Sequence, residues 1–126
     1  MKRFFLIAGL SLFLMSFTYF QDSGAIIEAL KSTDVSKISS YFDDYVDLKI
    51  MEKDEVKNMG RNQAGVLLRS FFSENGVKAF EKISDRQLGN TMYVTGKLTG
   101  NNKNYNITLL LRAKDGKYQI LTIRIS

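Results

Sequence analysis

The sequence predicts an α+β domain in which short helices pack on one face of a curved antiparallel sheet. Three observations predict it. Ala64, Leu67, Leu68, Phe71 and Phe72 recur at helical spacing and stop at Asn75-Gly76, a residue pair suited to ending a helix. From Met92 to Ile125 apolar residues alternate with polar ones, interrupted by Gly100-Asn101-Asn102-Lys103 and Lys114-Asp115-Gly116, which read as strands joined by hairpin turns. The 126 residues leave room for a single domain once a leader is set aside.

The leader occupies residues 1–20. Met1-Lys2-Arg3 is a short positive segment, and Phe4 to Phe17 follows without a charge. A positive end held inside and an apolar stretch entering the membrane are the layout of an export signal. Ser16 and Thr18 offer small residues for cleavage, and the flanks favour a cleaved signal peptide over an uncleaved anchor. Either way the domain, residues 21–126, is expected outside the cytoplasm: periplasmic, secreted, or tethered to the membrane through its N-terminus.

After the leader, Ala25, Ile26, Ile27, Ala29 and Leu30 form a short amphipathic helix with Glu28 and Lys31 on its wet side. Asp34 is suited to cap a second helix over 34–42, where Val35, Ile38, Tyr41 and Phe42 keep helical spacing. Asp43-Asp44 reads as a break, and residues 45–50 alternate as a strand. Glu52 to Glu55 forms a charged turn before a second extended piece around Val56 and Met59. The long helix over 62–74 follows. Residues 77–88, 91–99, 104–113 and 117–125 then read as four strands, the first pair joined at Gly89-Asn90.

Registers follow from the pleat. Pairing Leu98 with Tyr105 and Val94 with Leu109 places Met92, Val94 and Leu98 beside Ile107, Leu109 and Leu111. A three-residue loop at 114–116 pairs Leu111 with Gln119 and Ile107 with Ile123, so both apolar rows face the helices. The opposite face then carries Tyr93, Leu110 and Ile120 in one row, with Tyr118 beside them. That row is a candidate partner face, most simply for a homodimer.

Composition excludes much chemistry. The chain has no Cys, so disulfides, thiol catalysis and thiolate zinc sites are absent. It has no His, the commonest acid/base group near neutral pH and a frequent metal ligand. Formal net charge is +5, and setting aside Lys2 and Arg3 leaves an excess of three, spread without blocks. No nucleic-acid footprint is read from it. No cofactor pattern and no metal-ligand spacing occur. Asp43, Asp44 and Asp47 lack the alternate-position ligands of a calcium loop and read as a solvated turn.

Two groups remain as candidates. With alternation through the strand, Glu81, Ile83, Asp85 and Gln87 look toward the helices, and Glu81 or Asp85 is a weak candidate general base. Tyr41, Tyr45, Phe71, Phe72 and Gln87 are the candidate lining of a pocket for a small apolar ligand, with plain core as the competing assignment. Arg61 and Arg69 on the long helix are potential anion contacts. They read more simply as surface charges, since no Gly-rich loop accompanies them.

The order of elements is similar to the nuclear transport factor 2-like superfamily. Within it, Gln63-Ala64 with Leu68-Arg69-x-Phe71-Phe72, Tyr93-x-x-Gly96-x-Leu98, and Tyr118-x-Ile120-x-x-x-Arg124-Ile125 resemble the Bacteroidota family labelled domain of unknown function 4783. The resemblance covers essentially all of the mature chain and rests on packing motifs. It implies a cone-shaped half-barrel, export to the periplasm and no assigned activity. Dehydratases, cyclases and isomerases of that superfamily commonly use a His or Asp inside the cone. The expected function is therefore a non-catalytic exported binding or interaction module. The alternative is a small cofactor-free isomerase or dehydratase using a carboxylate in the cone.

Overall fold

The computed structural model describes residues 23–126, so the expected export segment lies outside the described residues. The elements are α1 (Gly24–Ser32), α2 (Val35–Ser39), β1 (Phe42–Ile50), β2 (Val56–Gly60), α3 (Arg61–Asn75), β3 (Ala79–Leu88), β4 (Thr91–Thr99), β5 (Asn104–Lys114) and β6 (Lys117–Ile125). The strands form one sheet in the order β2-β1-β6-β5-β4-β3. Every neighbouring pair is antiparallel except β1 and β6, which run parallel.

Local chemistry accounts for the helices. α1 buries Ile26, Ala29 and Leu30, one face of a helix, and ends at Thr33 in the left-handed region. The Asp34 side chain accepts from the Ser36 N–H at 3.0 Å and caps α2. α2 then stops at Ser39, short of the expected 34–42. The sheet claims the rest: Phe42 pairs with Ile120, and the Ile120 N–H donates to the Tyr41 carbonyl at 2.8 Å. Asp43 and Asp44 therefore lie within β1 rather than in a turn, where β1 carries extra residues against β6 between Phe42 and Asp47.

α3 buries Ala64, Gly65, Leu68, Phe71 and Phe72. Leu67, expected in the same stripe, stays 39 % exposed. Gly76 adopts φ 59°, and its N–H donates to the Phe72 and Ser73 carbonyls, ending the helix where Asn75-Gly76 predicts. α2 packs against α3 at Gly65, where an added Cβ would sit 3.4 Å from that of Ser39, an ordinary contact distance.

The centre of the sheet follows the expected pleat. Val94 pairs with Leu109 and Leu98 with Tyr105. The row Ile107, Leu109, Leu111 meets Ile120, Ile123 and Ile125, all fully buried beneath the helices. Removing such side chains from water is the main source of stability here, at about 1.5–3 kcal/mol each.

Besides β1, two strands depart from strict alternation, each through a bulge. The β5–β6 loop has two residues, not three: Lys114 pairs with Lys117 across Asp115-Gly116, both at positive φ (51° and 81°). That is the backbone an Asp-Gly hairpin favours. Leu110 then pairs with Thr122 while Leu111 pairs with Ile120, leaving Leu121 as the extra residue. The short loop turns Tyr118 and Ile120 toward the helices, and the bulge keeps Ile123 and Ile125 there as well. In β3 the expected two-residue loop is present, with Leu88 opposite Thr91. Upstream, Lys82 pairs with Gly96 and Ser84 with Thr95, so Ile83 is the extra residue. Before it, Phe80 faces the helices opposite Leu98; after it, Asp85 and Gln87 do, opposite Val94 and Met92. A Cβ on Gly96 would lie 2.5 Å from the Phe80 ring and 2.6 Å from the Glu81 carbonyl oxygen, so this position admits only glycine without a shift.

Candidate functional site

The two candidate carboxylates are separated by the Ile83 bulge. Glu81 pairs with Lys97 on the outer side of the sheet, a correction to its expected place in the cone. Asp85 keeps the concave side, but at the exposed edge strand, where its carboxylate accepts from the Lys82 ammonium at 2.6 Å. One carboxylate is thus on the wrong side of the sheet for work in the cone, and the other is paired in a half-exposed ion pair.

The five residues expected to line one pocket do not surround one cavity. Phe71 and Phe72 are buried and meet edge to face with centroids 6.4 Å apart. Phe71 also lies edge-on to Tyr105 at 5.1 Å, and the Tyr105 hydroxyl donates to Asn75 Oδ1 at 2.9 Å. These aromatics fill the cone where α3 crosses the sheet. Tyr41 is half-buried beside α1 and α2, whereas Tyr45 is 63 % exposed opposite Gly60. Gln87 donates from Nε2 to the Tyr118 hydroxyl at 3.1 Å, an open-edge contact that ties β3 to β6.

The candidate partner face changes composition. Tyr118 is 6 % and Ile120 0 % exposed, so both belong to the core, a consequence of the Asp115-Gly116 loop. Tyr93 and Leu110 remain paired on the outer side, with Thr122 next to Leu110. Asp43, Asp44 and Asp47 are each engaged separately. Asp43 accepts from Arg112 and Asp44 from Arg61, while Asp47 accepts from the Asn58 N–H at 2.8 Å. Among the described residues no three acidic side chains come together as a metal site.

A concavity suited to an apolar ligand lies on the flank of α3 that faces the β1–β2 ribbon. A groove of about 310 Å³ runs between α3 and the β1–β2 ribbon. Leu48, Ile50, Met59 and Phe71 make its apolar floor; Val56 and Leu67 are exposed apolar walls; Lys53, Asp54, Ser70 and Glu74 line the rim. Its volume is at the lower end of small-molecule sites. The loop bounding it is pinned. Lys49 Nζ donates to the Met51 and Lys53 carbonyls at 3.0 Å each, and the Met51 N–H donates to the Ile125 carbonyl at 2.7 Å. Arg124 donates to Glu55 at 3.1 Å, holding the far end of the same loop. Sequence reasoning missed this groove because Leu67 was assigned to the core. Its signal was faint: a second apolar residue beside Leu68, on the flank of the stripe.

Comparison with known proteins agrees with this architecture. The family described as Domain of unknown function (DUF4783) matches residues 23–126. A DUF4783 family protein from Bacteroides uniformis is 27 % identical with a TM-score of 0.74, covering 82 % of this chain and 94 % of that one. One from Bacteroides fragilis is 28 % identical with a TM-score of 0.71, covering 80 % and 93 %. A candidate ketosteroid isomerase from Parabacteroides distasonis, 20 % identical with a TM-score of 0.60 over 79 % of each chain, shares the fold alone. No match appears among curated proteins. The sheet with helices on one face is the nuclear transport factor 2-like arrangement. The chain belongs to the DUF4783 family.

Proposed function

We propose that the protein is an exported, non-catalytic binding module that takes a small apolar ligand in the groove between α3 and the β1–β2 ribbon. The observation that carries this reading is the groove itself: an apolar floor, two exposed apolar walls and a pinned loop at one side. Exposed Leu67 and Val56, both lining the groove, leave apolar surface in water that a ligand would cover. The cone offers less, because Phe71, Phe72 and Tyr105 occupy it. An isomerase-type reading requires a carboxylate aimed into an open cone, and the placements of Glu81 and Asp85 support it poorly.

The test is titration with the fluorescent probe anilinonaphthalene sulfonate, comparing the native chain with Leu67→Asp. Saturable enhancement is expected for the native chain, with affinity lowered at least about tenfold in the variant. A charge at an already exposed helix position leaves the melting temperature within a few degrees, roughly 0.5 kcal/mol in stability. Absence of saturable binding, or equal binding by Leu67→Asp, overturns the assignment.

A further inference from the structure

α3 has a second flank, facing α2, and its chemistry is the reverse of the groove's. Asn62, Gly65 and Arg69 recur at three- and four-residue spacing and share one face of the helix. They line a cleft of about 340 Å³ together with Ser36 and Ser39 of α2 and Arg61 at the start of α3. Gly65 marks where the two helices meet, since a Cβ there would lie 3.4 Å from the Ser39 Cβ, an ordinary contact distance.

Arg69 is the central group. Its guanidinium donates to Ser36 Oγ at 3.1 Å, and it has no carboxylate partner among the described residues. Because that oxygen accepts from Arg69, its own proton is available to a ligand beside the remaining guanidinium N–H groups. Among the described residues Arg61 pairs with Asp44 alone, at 3.2 Å, an exposed pair of little net strength that a competing anion can displace. Helix polarity adds to this. α3 has 15 residues, its N-cap Gly60 has no side chain to accept from the first-turn N–H groups, and its first turn contains no acidic residue. The positive end of the helix therefore lies beside Arg61 and Asn62, with Asp44, the partner of Arg61, as the acidic side chain near it.

We propose that this cleft is a binding subsite for a tetrahedral oxyanion, a phosphate or sulfate group, with Arg69 and Ser36 as its principal donors and Arg61 as the second cation. A planar guanidinium and a neighbouring hydroxyl match the oxygens of such a group, and charge-assisted bonds of this kind are the strong ones. The subsite lies on the opposite flank of α3 from the apolar groove and does not depend on it. The phosphate could belong to a soluble ester or to a lipid headgroup, and both present the same oxygens.

The test is amide NMR of the full domain titrated with inorganic phosphate and with sulfate, against chloride at matched ionic strength. Saturating shifts confined to residues 36–40 and 61–69 are expected. Arg69→Gln should weaken binding at least about tenfold, the loss of one charge-assisted contact. Asp44→Asn should strengthen it about twofold by freeing Arg61. Should Arg69→Gln fail to fold, Ser36→Ala reads the same site and should weaken binding about threefold. Cosedimentation with phosphatidylglycerol vesicles, lost in Arg69→Gln, would place the group on a lipid; phosphate binding without cosedimentation would place it on a soluble ester. Shifts reproduced by chloride, or unchanged affinity in the Arg69 and Ser36 variants, overturn the proposal.

Discussion

β5 and β3 are strands of similar length, 11 and 10 residues, flanking the same neighbour, β4. They fare differently. β5 buries Tyr105, Ile107, Leu109 and Leu111 in unbroken alternation, whereas β3 buries Phe80 alone. β5 lies between two strands, and its Tyr105 lies against Phe71 of α3. β3 is an edge, with Lys82, Asp85, Arg86 and Gln87 exposed and a bulge at Ile83. Charge and a bulge are the means by which exposed edges avoid pairing with other chains. The lesson is that a strand's pattern reports coverage: alternation survives where both faces have distinct solvents and lapses where water reaches both.

The comparison breaks most readily at its centre. Leu109→Ala should cost about 3 kcal/mol, read as a lowered urea midpoint at constant slope, because the fully buried site leaves a cavity. Ile83→Ala, also the loss of a large apolar side chain, should cost less than about 0.5 kcal/mol because Ile83 is exposed. Equal costs would refute the contrast. At the boundary between the two regions, Gly96→Ala should cost about 1–3 kcal/mol, since its Cβ would overlap the Phe80 ring and the Glu81 carbonyl. A calorimetric melt checks this, and an unchanged melting temperature would show that β3 shifts freely on β4. The smallest effect belongs to the outer part of the edge. Asp85→Asn should change stability by less than about 0.5 kcal/mol, its partner Lys82 being as exposed as itself. A larger loss in chemical denaturation would mean that the edge contributes to the core after all.

α3 repeats the contrast on a single element. Its buried stripe is bordered by Leu67, Ser70 and Glu74 on the β1–β2 side and by Asn62 and Arg69 on the α2 side. The first border faces apolar floor residues and the second faces serine hydroxyls. Helical spacing identified the stripe, with Leu67 as the one misplaced member. Arg61 and Arg69 were legible as charges on the helix, but their partners Asp44 and Ser36 come from 17 and 33 residues away in sequence. For the same reason the pocket assigned to Tyr41, Tyr45, Phe71, Phe72 and Gln87 dispersed. Aromatic spacing says that a residue seeks cover and is silent on which residues share that cover.

The amino-acid sequence by itself determined the Asp34 cap, the helix end at Gly76, the Gly89-Asn90 turn and the β4–β5 register. Each is set by backbone chemistry within a few residues or by alternation between two uninterrupted strands. Only the tertiary structure decided that Asp115-Gly116 alone makes the turn, which brings Tyr118 and Ile120 into the core. It also decided where Leu121 and Ile83 bulge, which keeps Ile123 and Ile125 inward and moves Glu81 out of the cone. A bulge adds one residue without a compositional mark, and a single added residue exchanges the two faces of everything beyond it. Whether that exchange is favourable depends on helices contributed from elsewhere in the chain, which periodicity along one strand does not contain.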